Sequence, residues 1–112
     1  ARFAGGEGGR LAVVAGQVPK NAEGEFVVGG IAEQARQTLD NLMKTLRQAG
    51  YGPEDVVKVN VWLDDPRDFA IFNRIYSQYF SIEHAPARVT VQGHMMNDFK
   101  VEMDCVAWKE PR

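Results

Sequence analysis

Two residues carry the chemistry this chain most plainly offers: Arg88, which opens an alternating stretch behind Pro86-Ala87, and Glu102, near the start of the last such stretch. A guanidinium presents a planar fork of donors that grips a carboxylate through two parallel hydrogen bonds. It cannot serve as a base, because its pKa lies above ~12. Alternation sets Arg88, Thr90 and Gln92 against Val89 and Val91, which reads as Arg88 on the non-core face of a strand. Glu102 can face the same way from a neighbouring strand. Spacing alone favours a structural Arg–Glu salt bridge across the sheet, with anion binding by the arginine as the alternative.

The remaining reactive residue types read more blandly. His84 and His94 fall in predicted loops, and the chain has no Cys-x-x-Cys, His-Glu-x-x-His or calcium-loop spacing, so no metal site is expected. The single cysteine, Cys105, alternates onto the face of Val101 and Met103 and reads as a small buried hydrophobe. There is no Gly-x-Ser-x-Gly elbow, and Asp64-Asp65 before Pro66 reads as a solvated turn. Gly5-Gly6-Glu7-Gly8-Gly9 lacks the Gly-Lys-Ser/Thr ending of a phosphate loop and precedes the apolar run Leu11 to Ala15. It reads as a turn between two strands.

The elements that must position Arg88 and Glu102 follow from periodicity. Ile31, Ala35, Leu39, Leu42, Met43 and Leu46 recur at helical spacing, and Gly50 supplies a left-handed stop. Val57, Val59, Val61 and Leu63 alternate as the inner face of a strand that Asp64-Asp65-Pro66 ends. Asp68 is placed to cap a second helix with Phe69, Phe72, Ile75, Tyr76, Tyr79 and Phe80 on its buried side. Val101, Met103, Cys105 and Ala107 share one face of the last strand, opposite Glu102, Asp104, Val106 and Trp108. A further short strand is predicted at Glu25-Phe26-Val27-Val28. The order β-β-α-β-α-β-β gives an α+β layout with two helices available to cover one sheet face. The other face would carry Arg88, Thr90, Gln92, Glu102, Asp104, Lys58 and Asn60 with Trp62 and Trp108. That mixture is too apolar for water and too polar for a dry core, which predicts packing against further copies of the chain.

Length and composition fit this reading. The chain has 112 residues, which suits one domain over 1–112. Apolar residues make up 45% and charged residues 25%, the balance of a globular rather than a disordered chain. A formal charge of −2 excludes the general basic excess of a protein held by nucleic-acid phosphates, so no nucleic-acid partner is expected. No apolar stretch approaches the ~20 residues of a membrane span, and no signal-peptide pattern is present. With one cysteine, the expected setting is reducing and cytoplasmic.

Gly16-Gln17-Val18-Pro19 and Gln34-Ala35-Arg36-Gln37-Thr38-Leu39-Asp40-Asn41 resemble the Rid (reactive intermediate deaminase, YjgF-like) family. Asp55 to Leu63, Asp68-Phe69, Asn73, Tyr76, Pro86-Ala87-Arg88 and Val101-Glu102-Met103-Asp104 continue the resemblance, in order, over nearly the whole chain. The resemblance implies a chorismate-mutase-like fold, a mixed sheet with two helices on one face, assembled as a homotrimer with a pocket at each subunit interface. It implies hydrolysis of reactive enamines and imines such as 2-aminoacrylate to 2-keto acids and ammonia, without a cofactor. By position, Arg88 matches the family's carboxylate-binding arginine and Glu102 its water-positioning glutamate, while Gly16 and Asn73 match pocket-lining positions. Thr90 stands where the best-known deaminases have Cys, and it is a further expected substrate contact. Ala15 replaces the usual Ser, Arg2 aligns with the family's N-terminal tyrosine, and Met95-Met96 replace the usual Leu-Pro. Lost hydroxyls favour a second reading, in which the same pocket binds small 2-keto acids or related carboxylates without turnover.

Overall fold

In the computed structural model, which describes residues 1–4 and 10–110, the elements run β1 (Arg2–Ala4), β2 (Leu11–Gln17), α1 (Ile31–Gln48), β3 (Val56–Leu63), α2 (Phe69–Tyr76), β4 (Ala87–Gln92) and β5 (Val101–Trp108). The sheet order is β1-β2-β5-β3-β4. Only β3 and β4 pair in parallel, joined through α2; the other neighbours are antiparallel. Since β5 lies antiparallel between β2 and β3, those two strands run the same way and α1 crosses over between them. The predicted α+β architecture, a mixed sheet with both helices on one face, is the one observed.

Helix α1 forms where its apolar period predicts, and its ends are set by local chemistry. Glu33 accepts a hydrogen bond from the Gly30 N–H at 2.9 Å. At the far end, Gly50 takes φ +88°, the Gly50 N–H donates to the Arg47 carbonyl and the Tyr51 N–H to the Leu46 carbonyl. This pairing satisfies two otherwise orphaned carbonyls and needs the left-handed residue that glycine supplies without strain. Leu39, Leu42 and Leu46 are wholly buried against Val14, Val59, Val61, Val101 and Met103 of the sheet. Each buried leucine contributes about 1.5–3 kcal/mol relative to exposure. Two polar residues are buried among them. Gln34 joins segments, donating to the Gly29 carbonyl and accepting from the Lys100 N–H just before β5.

Four expectations need correction. Glu25–Val28 is not a strand; Phe26 forms one isolated bridge with Lys20 and stacks on Phe99 at 4.9 Å. The loop is instead pinned by Asn41, which donates to the Val18 and Lys20 carbonyls. In β3 the register shifts between Val56 and Lys58, so Val56 is 3% exposed and Val57, predicted to face inward, 48%. Asp68 occupies the N-cap of α2 without a side-chain cap bond; Asp65 accepts from the Arg67 N–H one turn earlier. Phe69 is not buried with Phe72, Ile75, Tyr76 and Phe80 but is 42% exposed at the start of α2. The Gly5 to Gly9 turn lies outside the described residues, while the strands on either side pair with Phe3 opposite Ala12.

Candidate functional site

Arg88 sits on the edge strand, and its register decides its face. It pairs with Val59, Thr90 with Val61 and Gln92 with Leu63, all of which point toward the helices. The guanidinium carbon lies 4.6 Å from the Tyr76 ring centroid, 5.8 Å from Phe69 and 6.0 Å from Phe72. These three aromatic faces of α2 attract a cation and restrict where it swings. They take up none of its side-chain N–H donors, and among the described residues the Arg88 guanidinium has no ion pair or hydrogen bond. Asn73 lies on the same flank of α2, four residues from Phe69 and three from Tyr76. Its Oδ1, the Thr90 Oγ1 and the Tyr76 hydroxyl are all shielded and, among the described residues, lack hydrogen-bond partners. Burial pushes the Tyr76 hydroxyl up to about 12, despite the opposing field of Arg88. It therefore stays protonated, a donor rather than a base. Beside this group a cavity of about 250 Å³ is lined by Leu63, Pro66, Phe69, Thr90, Val91 and Gln92.

Glu102 occupies the opposite side of the sheet. It pairs with Trp62, between the inward-facing Val101 and Met103. The β2 ladder is irregular at this level: Val14 opposes Cys105 but Gln17 opposes Met103, so an extra residue is accommodated around Ala15 and Gly16. A Cβ on Gly16 would come within 2.6 Å of a Glu102 carboxylate oxygen. The close approach of backbone to carboxylate is thus what glycine permits here. With Trp62, His94, Met95 and Met96, Glu102 lines a second cavity of about 170 Å³. Among the described residues its carboxylate has no ion-pair or hydrogen-bond partner, in contrast to that of neighbouring Asp104, which accepts from Asn60 at 2.9 Å.

The structure therefore brings Arg88, Thr90 and Asn73 together, and separately Gly16 and Glu102, but holds the two groups on opposite faces of one sheet. This overturns the expectation that Arg88, Thr90 and Gln92 share a face with Glu102, and with it the salt bridge between Arg88 and Glu102. The valines assigned inward, Val89 and Val91, instead point to the uncovered face with Val13 and Trp108, and all four are exposed. The physical reason is that alternation defines two faces without saying which is inner. The helix-side face of an edge strand need not be apolar, because it flanks a short helix rather than lying under one.

Cys105 is 1% exposed, and burial, with a smaller contribution from Asp104, pushes its thiol up to about 12. Native protein at mildly alkaline pH is expected to react with a thiol–disulfide reagent only after unfolding; rapid labelling of the folded chain would contradict this. No cluster of three or more His, Cys, Asp or Glu able to hold a metal occurs among the described residues. No described helix is long and apolar enough to cross a membrane. Sequence reasoning passed over His94 and Asp64, whose Nδ1 and Oδ1 lie 2.7 Å apart beside the Glu102 cavity. No spacing rule links a loop histidine to a turn carboxylate thirty residues away.

Residues 5–109 match the endoribonuclease L-PSP family. A RutC family protein of Pyrococcus horikoshii is 42% identical over 104 residues, 91% of this chain and 82% of that protein. The 2-iminobutanoate/2-iminopropanoate deaminase of Escherichia coli K12 is 35% identical over 102 residues, 88% of this chain and 80% of that enzyme. The crystal structure of the E. coli YjgF gene product superposes with a TM-score of 0.83 at 36% identity, covering 91% of this chain and 83% of that one. The chain belongs to the endoribonuclease L-PSP family, the YjgF/RutC family.

Proposed function

We propose that the protein hydrolyses reactive 2-imino and enamine acids to 2-keto acids and ammonia, in pockets formed where copies of the chain meet as a homotrimer. The observation that carries this reading is the pair of unpartnered charges on opposite faces of one sheet. A free guanidinium held by three aromatic rings and a free carboxylate held against Gly16 cannot meet within one chain. A cyclic assembly brings the edge of one copy against the open face of the next, and so joins unlike surfaces. The exposed Val13, Val89, Val91 and Trp108 supply the apolar area for that contact. In such a pocket the substrate carboxylate docks on the Arg88 fork, which fixes the C=N carbon for attack. Thr90 and Asn73 offer their unpaired oxygens to the substrate or its water. Glu102 of the neighbouring copy orients that water and takes its proton as oxygen bonds to the imine carbon. The carbinolamine then collapses and ammonia leaves. A protonated imine is electrophilic enough to need no cofactor.

The test is keto-acid and ammonia release from 2-iminopropionate generated in situ, read beside calorimetric titration with pyruvate or 2-ketobutyrate. Release well above the buffer rate supports the enzyme. Binding without turnover selects the carboxylate-binding reading, which the missing hydroxyl at Ala15 favours. Absence of both sinks the pocket.

The family name, endoribonuclease L-PSP, raises RNA as a rival substrate. The net charge of −2 provides no excess of cations for a phosphate backbone. In low salt, single-stranded RNA is expected to give no electrophoretic shift. A tight complex that weakens steeply with added salt would contradict this.

A further inference from the structure

The Glu102 cavity has a second ionisable wall. His94 Nδ1 lies 2.7 Å from Asp64 Oδ1. A carboxylate only accepts, so Nδ1 carries the hydrogen and Nε2 is the free ring nitrogen, on a residue that lines the same cavity as Glu102. The pair sits on a hydrogen-bonded frame rather than on a loose loop. Gly93 N–H donates to the Leu63 carbonyl at 2.9 Å, Gln92 Nε2 donates to the Asp64 carbonyl at 3.0 Å, and Asp64 N–H donates to the Lys100 carbonyl at 3.0 Å. Three segments, the ends of β3 and β4 and the residue before β5, thereby fix the imidazole beside the carboxylate. The His94 side chain is 86% exposed and that of Asp64 38%, so the free nitrogen is open to a ligand or to a neighbouring copy.

The geometry points to His94 as the proton donor for the departing nitrogen, with Asp64 as its positioning residue. This rests on the deaminase reading above and adds the acid that reading leaves unassigned. Once water has bonded to carbon and Glu102 has taken its proton, the carbinolamine carries a hydroxyl and a neutral amine. Imidazolium Nε2–H gives its proton to that amine. The C–N bond breaks with its electron pair going to nitrogen, an oxygen lone pair closes the carbonyl, and the hydroxyl proton returns to Nε2. The proton on Glu102 passes to ammonia, leaving 2-keto acid and ammonium and restoring both residues. Among the described residues, Asp64 is the charged group bonded to His94 and Glu102 the one that shares its cavity; the Lys100 ammonium, from the segment before β5, is directed to Asp68 at 3.7 Å. A proton cycle of this kind is worth about 10²–10⁴ in rate when the acid and base are positioned.

The experiment compares wild type, His94→Gln, Asp64→Asn and Arg88→Ala across a pH series with imine generated in situ. His94→Gln is expected to lower kcat about 100-fold with KM within about twofold, and to alter the dependence of kcat on pH. Asp64→Asn keeps an acceptor for Nδ1–H but weakens the hold on the ring, so kcat is expected to fall less than in His94→Gln, again with KM within about twofold. Unchanged kcat and an unchanged profile in His94→Gln would leave the pair as a surface contact and overturn the proposal, provided Arg88→Ala is impaired. If wild type itself shows no turnover, or Arg88→Ala matches wild type, the deaminase reading fails and this inference falls with it.

Discussion

Replacing Arg88 with alanine is expected to reduce kcat/KM for a 2-imino acid by about 100-fold or more while leaving the fold intact. The argument is local. Its guanidinium has no partner among the described residues and spends its interactions on the faces of Tyr76, Phe69 and Phe72. Those contacts stabilise the chain by about 0.5–1 kcal/mol, a small part of its stability. A charge-assisted, bidentate grip on a carboxylate is worth several times that, and each 1.36 kcal/mol is tenfold in rate. Arg88→Lys keeps the charge but loses the fork, so it should fall between wild type and alanine. Titration with pyruvate separates this from a folding defect: the variant should keep its thermal transition and lose the binding heat. Retained binding with retained turnover would show that the carboxylate docks elsewhere.

Glu102→Gln is expected to act on the other side of the reaction. The substitution preserves shape beside Gly16, where there is room for a planar terminal group but not for an added Cβ. It removes a negative charge that no described residue pairs, so little native interaction is lost. What is lost is the acceptor for the attacking water's proton, an effect on the order of 10²–10⁴ in kcat. Binding of a keto-acid product should change far less. A kcat effect with nearly unchanged KM is therefore expected from Glu102→Gln, against the loss of binding expected from Arg88→Ala. Turnover that survives Glu102→Gln would assign the base to another residue, with His94 in the same cavity the first to test.

How far the sequence alone foretold this arrangement varies with the kind of signal. Helix α1 was legible because its stripe and its Gly50 stop agree, and local and tertiary signals point the same way. In β5, inward Val101, Met103, Cys105 and Ala107 were legible because a central strand with one covered face shows its alternation cleanly. β4 misleads for the opposite reason. It is an edge strand whose exposed valines suit another protein surface and whose inward arginine faces rings, so polarity labels the faces backwards. Val57 misleads because a one-residue register shift in β3 turns a continuous alternation inside out at its first position. The resemblance carried over Arg88, Glu102, Gly16, Asn73 and Thr90 individually. It did not carry the fact that the first two lie on opposite faces, which is a property of strand pairing. The contact of His94 with Asp64 arises from the convergence of the β3 and β4 ends, and no local pattern marks it.

Mixing the two crippled chains tests the shared pocket most directly. Arg88→Ala and Glu102→Gln proteins, each inactive alone, are unfolded together in equal amounts, refolded and assayed on 2-iminopropionate. If each pocket takes its arginine from one copy and its glutamate from the next, random assembly unites the two intact side chains at one interface in four. Activity should then return to about a quarter of the wild-type value. A mixture of correctly refolded, co-assembled chains that stays as inactive as its components would contradict the account.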